Sequence, residues 1–138
     1  FQALGSTIGA RILFPGNRVD GKPTINVARG FNAQIADRFD LTLECIRLHY
    51  LRQASPLAAT LDRYADFFGL FGSFEGYVDF FLLGDLVQNG QVKFCLPFDG
   101  EFGQALPNTV DEYNEYMANT TGFVAARNRR IEAWAAKN

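Results

Sequence analysis

Between residues 67 and 83 the chain reads FFGLFGSFEGYVDFFLL, a run that holds six of the 14 phenylalanines and a tyrosine and carries charge only at Glu75 and Asp79. So much aromatic surface has three destinations open to it: a membrane, a core, or the wall of a binding pocket. A membrane-spanning helix needs about 20 predominantly apolar residues. Asp66, Glu75, Asp79 and Asp85 interrupt this region and Gly72-Ser73 divides it, so no span is expected. Two helices that meet at a short turn and bury their aromatic faces fit the pattern better. Burying one phenylalanine contributes about 1.5–3 kcal/mol, so a buried cluster would dominate the stability of a small domain. A pocket wall, with Tyr64, Tyr77 and Glu75 as its polar groups, is the second expectation.

The flanking segments set the rest of the architecture. Residues 7–14 (TIGARILF) and 24–28 (TINVA) read as an antiparallel pair of strands joined by the turn-rich PGNRVDGKP. Residues 35–51 carry Phe39, Leu43, Ile46 and Tyr50 at helical spacing, with Asp37 and Asp40 near the positive end of the helix dipole. In residues 55–71, Ser55 offers an N-cap, Pro56 suits the first helical position, and Leu57, Leu61, Tyr64, Phe68 and Phe71 form one stripe. Ser73 can cap a third helix over residues 74–87, which is apolar on most sides and is expected to be the most buried. Gly76 and Gly84 within it point to close approach by another element.

After the turn signal QNGQ, residues 92–98 (VKFCLPF) read as a third strand. Thr109 and Glu112 then match a capping box. They open a final helix whose seam runs Tyr113, Met117, Thr120, Val124, Arg127, Ile131, Trp134, with Thr120-Thr121-Gly122 as a place to bend or divide it. The expected fold is α+β: a small antiparallel sheet of about three strands, the N-terminal hairpin plus the strand near 92–98, packed against about four helices. A cone-shaped α+β barrel with a central cavity is the alternative. The 138 residues suit a single domain over 1–138.

Lys and Arg number 13 against 15 Asp and Glu, giving a net charge of −2 that lacks the basic field of a general nucleic-acid binder. Arg127, Arg129 and Arg130 read as cations favoured near a helix C-terminus, so no nucleic acid is expected. Cys45 and Cys95 have neither metal-ligand nor disulfide-framework spacing. They read as reduced thiols of a cytoplasmic protein, and no cofactor is expected. The first residues show no basic segment followed by an apolar one, so no leader is read there, and the absence of an initiating methionine leaves room for a segment upstream.

Several polar residues could carry chemistry. Asp37, Asp40 and Glu44 fall on one quarter of the first helix, a placement able to offer oxygen ligands to magnesium. Arg47, three residues beyond Glu44, makes a salt-bridged face the stronger reading, and no metal is expected. Arg38, Thr42, Cys45 and His49 line the opposite edge. His49 is the one histidine and a candidate general base, with Cys45 one turn away, but no third group that would orient such a pair is legible. Arg29 could bind an anion by its planar fork or tie its loop to a first-helix carboxylate. Arg127 either reads an anionic ligand or is satisfied by Asp40 or Glu44, because a buried unpaired charge is too costly.

The run ARGFNAQIADRFDLTLECIRLHY, followed by SPLAATLDRYADFFGLFGSFEGYVDFFLLGDLV, VKFCLPFD and ARNRRI, resembles an uncharacterised family of bacterial hypothetical proteins. Gly84 departs from the larger polar residue expected before DLV. The resemblance implies no activity, cofactor or catalytic residue to carry over. The leading functional expectation is a non-catalytic module for a small ligand or a protein partner, of the compact kind that mobile gene cassettes carry, with a homodimer through exposed aromatics among its forms. The alternative is a small metal- or anion-dependent hydrolase or transferase using Asp40, Glu44 or His49, with Arg29 or Arg127 on the anion.

Overall fold

The protein is described here by a computed structural model over residues 8–103 and 105–138. Thr24, expected to head a strand, caps a helix: its Oγ1 accepts from the Val27 amide at 3.4 Å, and Ile25–Phe31 follow as α1. The cap, placed directly after Pro23, outweighs the β preference of Ile25 and Val27. The first expected strand is missing as well. Thr7 lies outside the described residues, Ile8–Ala10 form a 3-10 turn, and residues 11–14 have no regular structure. The turn between them is nevertheless real, since Asp20 and Gly21 take φ of 56° and 68° and close a lone antiparallel bridge from Val19 to Lys22. Pro15 and Pro23 bound this loop without amide hydrogens for a ladder, so the bridge does not grow into a hairpin.

Ala36 and Asp37 adopt left-handed φ of 50° and 60°, so the next helix, α2, begins at Phe39 rather than Ile35 and runs Phe39–Tyr50. All of residues 40–46 are buried, which makes α2 the central element in place of the aromatic third helix. The expected helix over 55–71 is two short ones, α3 (Ala58–Asp62) and α4 (Ala65–Gly69), preceded by a turn in which Ser55 Oγ accepts from Leu57 N at 3.2 Å. Tyr64 breaks them, with φ −114° and ψ 27°, and its hydroxyl donates to Asn17 O at 2.7 Å. The apolar stripe survives the break, for Leu57, Leu61, Tyr64 and Phe68 are all buried.

Ser73 caps α5, Phe74–Phe80, by accepting from Gly76 N at 3.0 Å. A Cβ on Gly76 would lie 2.0 Å from Phe71 O, so only glycine fits this tight entry. Leu82, at φ 57°, ends the helix well short of Val87, and a 3-10 turn Gly84–Leu86 follows. The sheet has two strands, β1 (Val87–Gln88) and β2 (Gln91–Val92), around Asn89-Gly90 with φ of 55° and 76°. That is the two-residue turn an Asn-Gly pair favours. The chain then leaves the ladder: Lys93 N donates to Leu86 O and Cys95 N to Asp40 Oδ2, so the strand expected to Phe98 stops at Val92. A two-stranded sheet cannot close into a barrel.

The last helix, α6, runs unbroken over Val110–Lys137, through Thr120 and Gly122. Thr109 Oγ1 accepts from Glu112 N at 3.0 Å, while Glu112 Oε1 accepts from Asn108 N at 2.8 Å. Only Phe123, Val124 and Arg127 of this helix are buried. Tyr113 and Trp134, expected in the seam, are 53% and 55% exposed. Among the described residues the architecture is thus α+β, with six α-helices around a core centred on α2 and one small antiparallel ribbon. Among those residues no helix is long and apolar enough to cross a membrane.

Candidate functional site

Of the charged residues singled out in the sequence, Arg29, Asp37, Asp40 and Glu44 gather on α2 and the turn before it, each held in an ion pair. Arg29, in the last turn of α1, donates from Nε to Thr42 Oγ1 at 2.8 Å and from Nη2 to Asp37 O at 2.9 Å, while its Nη1 lies 2.8 Å from Asp37 Oδ1. Thr42 passes the connection on by donating to Arg38 O at 2.7 Å. The Arg29 guanidinium also sits 5.5 Å from the centre of the Phe39 ring. Burial lowers its pKa and Asp37 opposes that shift. Arg29 therefore ties α1 to the left-handed turn at Asp37 and to α2.

Arg38 and Asp40 form the innermost pair, 5% and 1% exposed. Arg38 reaches Asp40 by two parallel bonds, Nε to Oδ1 at 3.0 Å and Nη2 to Oδ2 at 2.5 Å, and donates from Nη1 to Ala105 O at 2.7 Å. Its guanidinium lies 5.1 Å from the centre of the Tyr116 ring on α6. Asp40 accepts two further bonds, from Leu41 N at 2.9 Å and Cys95 N at 2.8 Å. With four donors on two oxygens, the carboxylate is saturated in the way a buried charge requires. The pair fastens the loop after β2, at Cys95 and Ala105, to the start of α2.

The three carboxylates weighed as a magnesium face do not come together. Asp37 lies outside the helix on Arg29, Asp40 is committed to Arg38, and Glu44 is held by Arg47 through bonds of 2.7 and 2.8 Å. Among the described residues no group of three or more His, Cys, Asp or Glu side chains is placed to hold a metal ion. Cys45 is fully buried and Cys95 nearly so, and burial pushes each thiol up to about 11. Both are protonated at neutral pH, which removes their nucleophilic form. His49 turns from Cys45 to Asp62, with Nδ1 and Oδ1 3.3 Å apart, and tilts over Phe68 at 5.1 Å between ring centres.

Arg127 meets neither Asp40 nor Glu44, contrary to the sequence expectation. Its described partners are backbone carbonyls: Nε to Leu82 O at 3.3 Å, Nη2 to Phe81 O at 2.7 Å, and Nη1 to Gly9 O at 3.2 Å and to Arg11 O. Burial lowers its pKa. The residue clamps the segment around Gly9 and the turn that ends α5 onto α6, where Asn128 Oδ1 also accepts from Gly9 N at 2.7 Å.

The tyrosines and Glu75 do not share a pocket either. Tyr64 holds Asn17, and Tyr77 is fully buried, its hydroxyl without a hydrogen-bond partner among the described residues. Burial pushes the Tyr77 pKa far up, Tyr50 adds to this, and the nearby charges of Arg127 and Arg29 act against it. Glu75 stands on the rim of a cavity of about 200 Å³ with Phe74, Val78, Asp79 and Gly84. A larger hollow of about 640 Å³ is lined by Pro97, Phe98, Asp99, Glu101 and Glu112, and one of about 360 Å³ by Asp85, Lys93, Cys95, Asn119 and Phe123. None of the three is lined by Arg29, Asp40, Glu44, His49 or Arg127.

What the sequence reading placed inside and the structure leaves outside is part of the aromatic run. Phe68 and Tyr77 face the core, but Phe67, Phe71 and Phe81 are half-buried, Phe80 is 68% exposed and Leu70 77%. Phe71 packs on Phe67, Phe80 and Phe81 at 5.3, 4.9 and 5.2 Å between ring centres. These edge-to-face and tilted contacts make one continuous aromatic surface across α4 and α5. Helical spacing gave no signal for it, since Phe80 stands three residues after Tyr77 and so on nearly the same side of α5.

Residues 1–131 match a family of unknown function, DUF6994. No curated protein and no solved structure matches the chain.

Proposed function

The chain belongs to this family of unknown function, and we propose that it is a non-catalytic module that binds a protein partner through the aromatic surface of α4 and α5. One observation carries the reading: Phe80 and Leu70 stand open to solvent on a joined cluster of rings while the candidate catalytic charges are turned inward and paired. Contiguous exposed apolar surface marks interaction sites more often than scattered apolar residues do. Aromatic side chains also supply much of the energy of protein interfaces. Two buried free thiols suit a cytoplasmic home.

The enzyme alternative draws less support, since Asp40 has no free acceptor position and His49 faces an exposed Asp62 rather than a nucleophile. A photo-crosslinking residue at position 70, introduced in the producing cells, is expected to give a discrete protein adduct that Phe80→Asp removes. The same residue at position 31, also exposed, should give none. Absence of an adduct at position 70 would sink the reading. So would a melting-temperature rise with magnesium or phosphate that is lost in Glu44→Gln.

A further inference from the structure

We propose that the occupant of the aromatic surface is the C-terminal end of α6 from a second copy of this chain, exchanged reciprocally between two molecules. The proposal rests on the reading above and names its partner. Helix α6 continues ten residues past Arg127, its last buried residue, to Lys137, roughly 15 Å at the rise of an α-helix. Residues 132–138 are all exposed. A helix end without packing is marginal in water. This end nevertheless carries Trp134, one heptad beyond Arg127 and on the same face, with Ile131 half-buried between them.

Charge selects the pairing. From Tyr64 to Val92 the chain contains no Lys or Arg, and its carboxylates are Asp66, Glu75, Asp79 and Asp85. Asp66 adjoins Phe67, Asp79 adjoins Phe80, and both are exposed. Two copies meeting aromatic surface to aromatic surface would set these like charges against each other. The end of α6 carries the opposite sign, with Arg129 and Lys137 against Glu132, while Arg130 is held by Asp85 of its own molecule. Trp134 provides a flat ring for the phenylalanine cluster, and Lys137, three residues on and on the same side of the helix, provides a cation for its acidic borders.

Position makes the exchange closed rather than open-ended. Arg127 bonds Phe81 O and Leu82 O, and Arg130 bonds Asp85 through 2.9 and 3.0 Å contacts. The root of the free helix end therefore lies beside the aromatic surface of its own molecule. A two-fold axis at that junction lets each copy's helix end cross to the other's rings, the isologous arrangement typical of dimers.

The test is sedimentation velocity on the purified full chain from about 5 to 200 µM, where mass action must reveal a specific dimer. A dimer is expected. Trp134→Ala and Phe80→Ala should each raise its dissociation constant by roughly tenfold or more, as loss of an interface anchor does. Mixing the two variants should recover part of the affinity, because one of the two contacts in the mixed pair is then intact. A monomer at all concentrations overturns the proposal, and a persisting crosslink from position 70 to a different protein would show that the surface binds while the second copy is not its occupant. A dimer broken by Phe80→Ala but indifferent to Trp134→Ala, or indifferent to both, overturns it as well.

Discussion

Helix α2 and the pair α4–α5 invert the arrangement that composition suggests. Residues 40–46 of α2 include Asp40, Thr42 and Glu44 and are buried without exception, whereas the aromatic run keeps Phe80 and Leu70 in solvent. The difference teaches that a polar side chain enters a core when enough partners can be assembled around it, and that an aromatic one stays out when no element remains to cover it. Asp40 has Arg38 and two backbone amides, and Thr42 has Arg29 and a carbonyl. Phe80 stacks on the rings of Phe71 and Phe81 and is otherwise 68% exposed.

The comparison breaks most severely at the buried pair. Asp40→Ala leaves Arg38 charged and uncompensated, a change that costs about 3–5 kcal/mol in comparable buried pairs. In a domain of this size the melting temperature should fall by more than about 10 °C. Arg38→Met should do the same from the other side. The double variant Arg38→Met with Asp40→Leu is expected to lose less than the sum of the single changes, since no isolated charge remains. Calorimetry on the four proteins decides the matter. Single losses below about 1 kcal/mol would mean that water reaches the pair and that its burial is not a source of constraint.

A second pair of substitutions separates the two halves of the aromatic run. Phe68→Ala removes a fully buried ring packed against His49, Tyr50 and Tyr77 and should cost about 3–5 kcal/mol. Phe80→Ala, at the far end of the next helix, should change folding stability by no more than about 0.5 kcal/mol while weakening association. Denaturant titration at low protein concentration reads the first effect free of the second. Comparable losses at both sites would place Phe80 in the core.

The sequence made some of this legible and not the rest, for reasons that particular residues show. Local chemistry was readable wherever a side chain bonds its own neighbourhood: Ser73 and Thr109 as caps, Asn89-Gly90 as a turn, Asp20-Gly21 as another. Strand identity failed at residues 24–28, where a cap on Thr24 overrode β-branched residues, and at 92–98, where Cys95 N found Asp40 55 positions away. No local pattern encodes that bond. The same applies to the candidate site. The Glu44–Arg47 pair, three residues apart, was readable, while Arg127 holding Gly9, Arg11, Phe81 and Leu82 depends on three distant segments meeting. Left-handed φ at Ala36, Asp37 and Leu82 shortened two helices without glycine to announce it.

The smallest effect is expected at the surface counterpart of the buried pair, Asp85 with Arg130, whose side chains are 23% and 46% exposed. The Arg130 hydrogen bonds hold the Asp85 carboxyl below its usual range, against a smaller opposing effect of burial. A depressed carboxyl pKa stabilises the folded state above the unfolded value, near 3.9, and that contribution is lost as pH falls through the folded value. Asp85→Asn should therefore cost at most about 1 kcal/mol at pH 7, and the gap from the wild type should close below about pH 4. About 1 M salt should also narrow it, because an exposed pair is screened, whereas the loss from Asp40→Ala should persist in the same salt. Melting curves of both variants across pH and salt would show the contrast. A salt response equal at the two sites would mean that Asp40 and Asp85 sit in similar surroundings, and the distinction between a charge assembled into the core and one resting on it would fail.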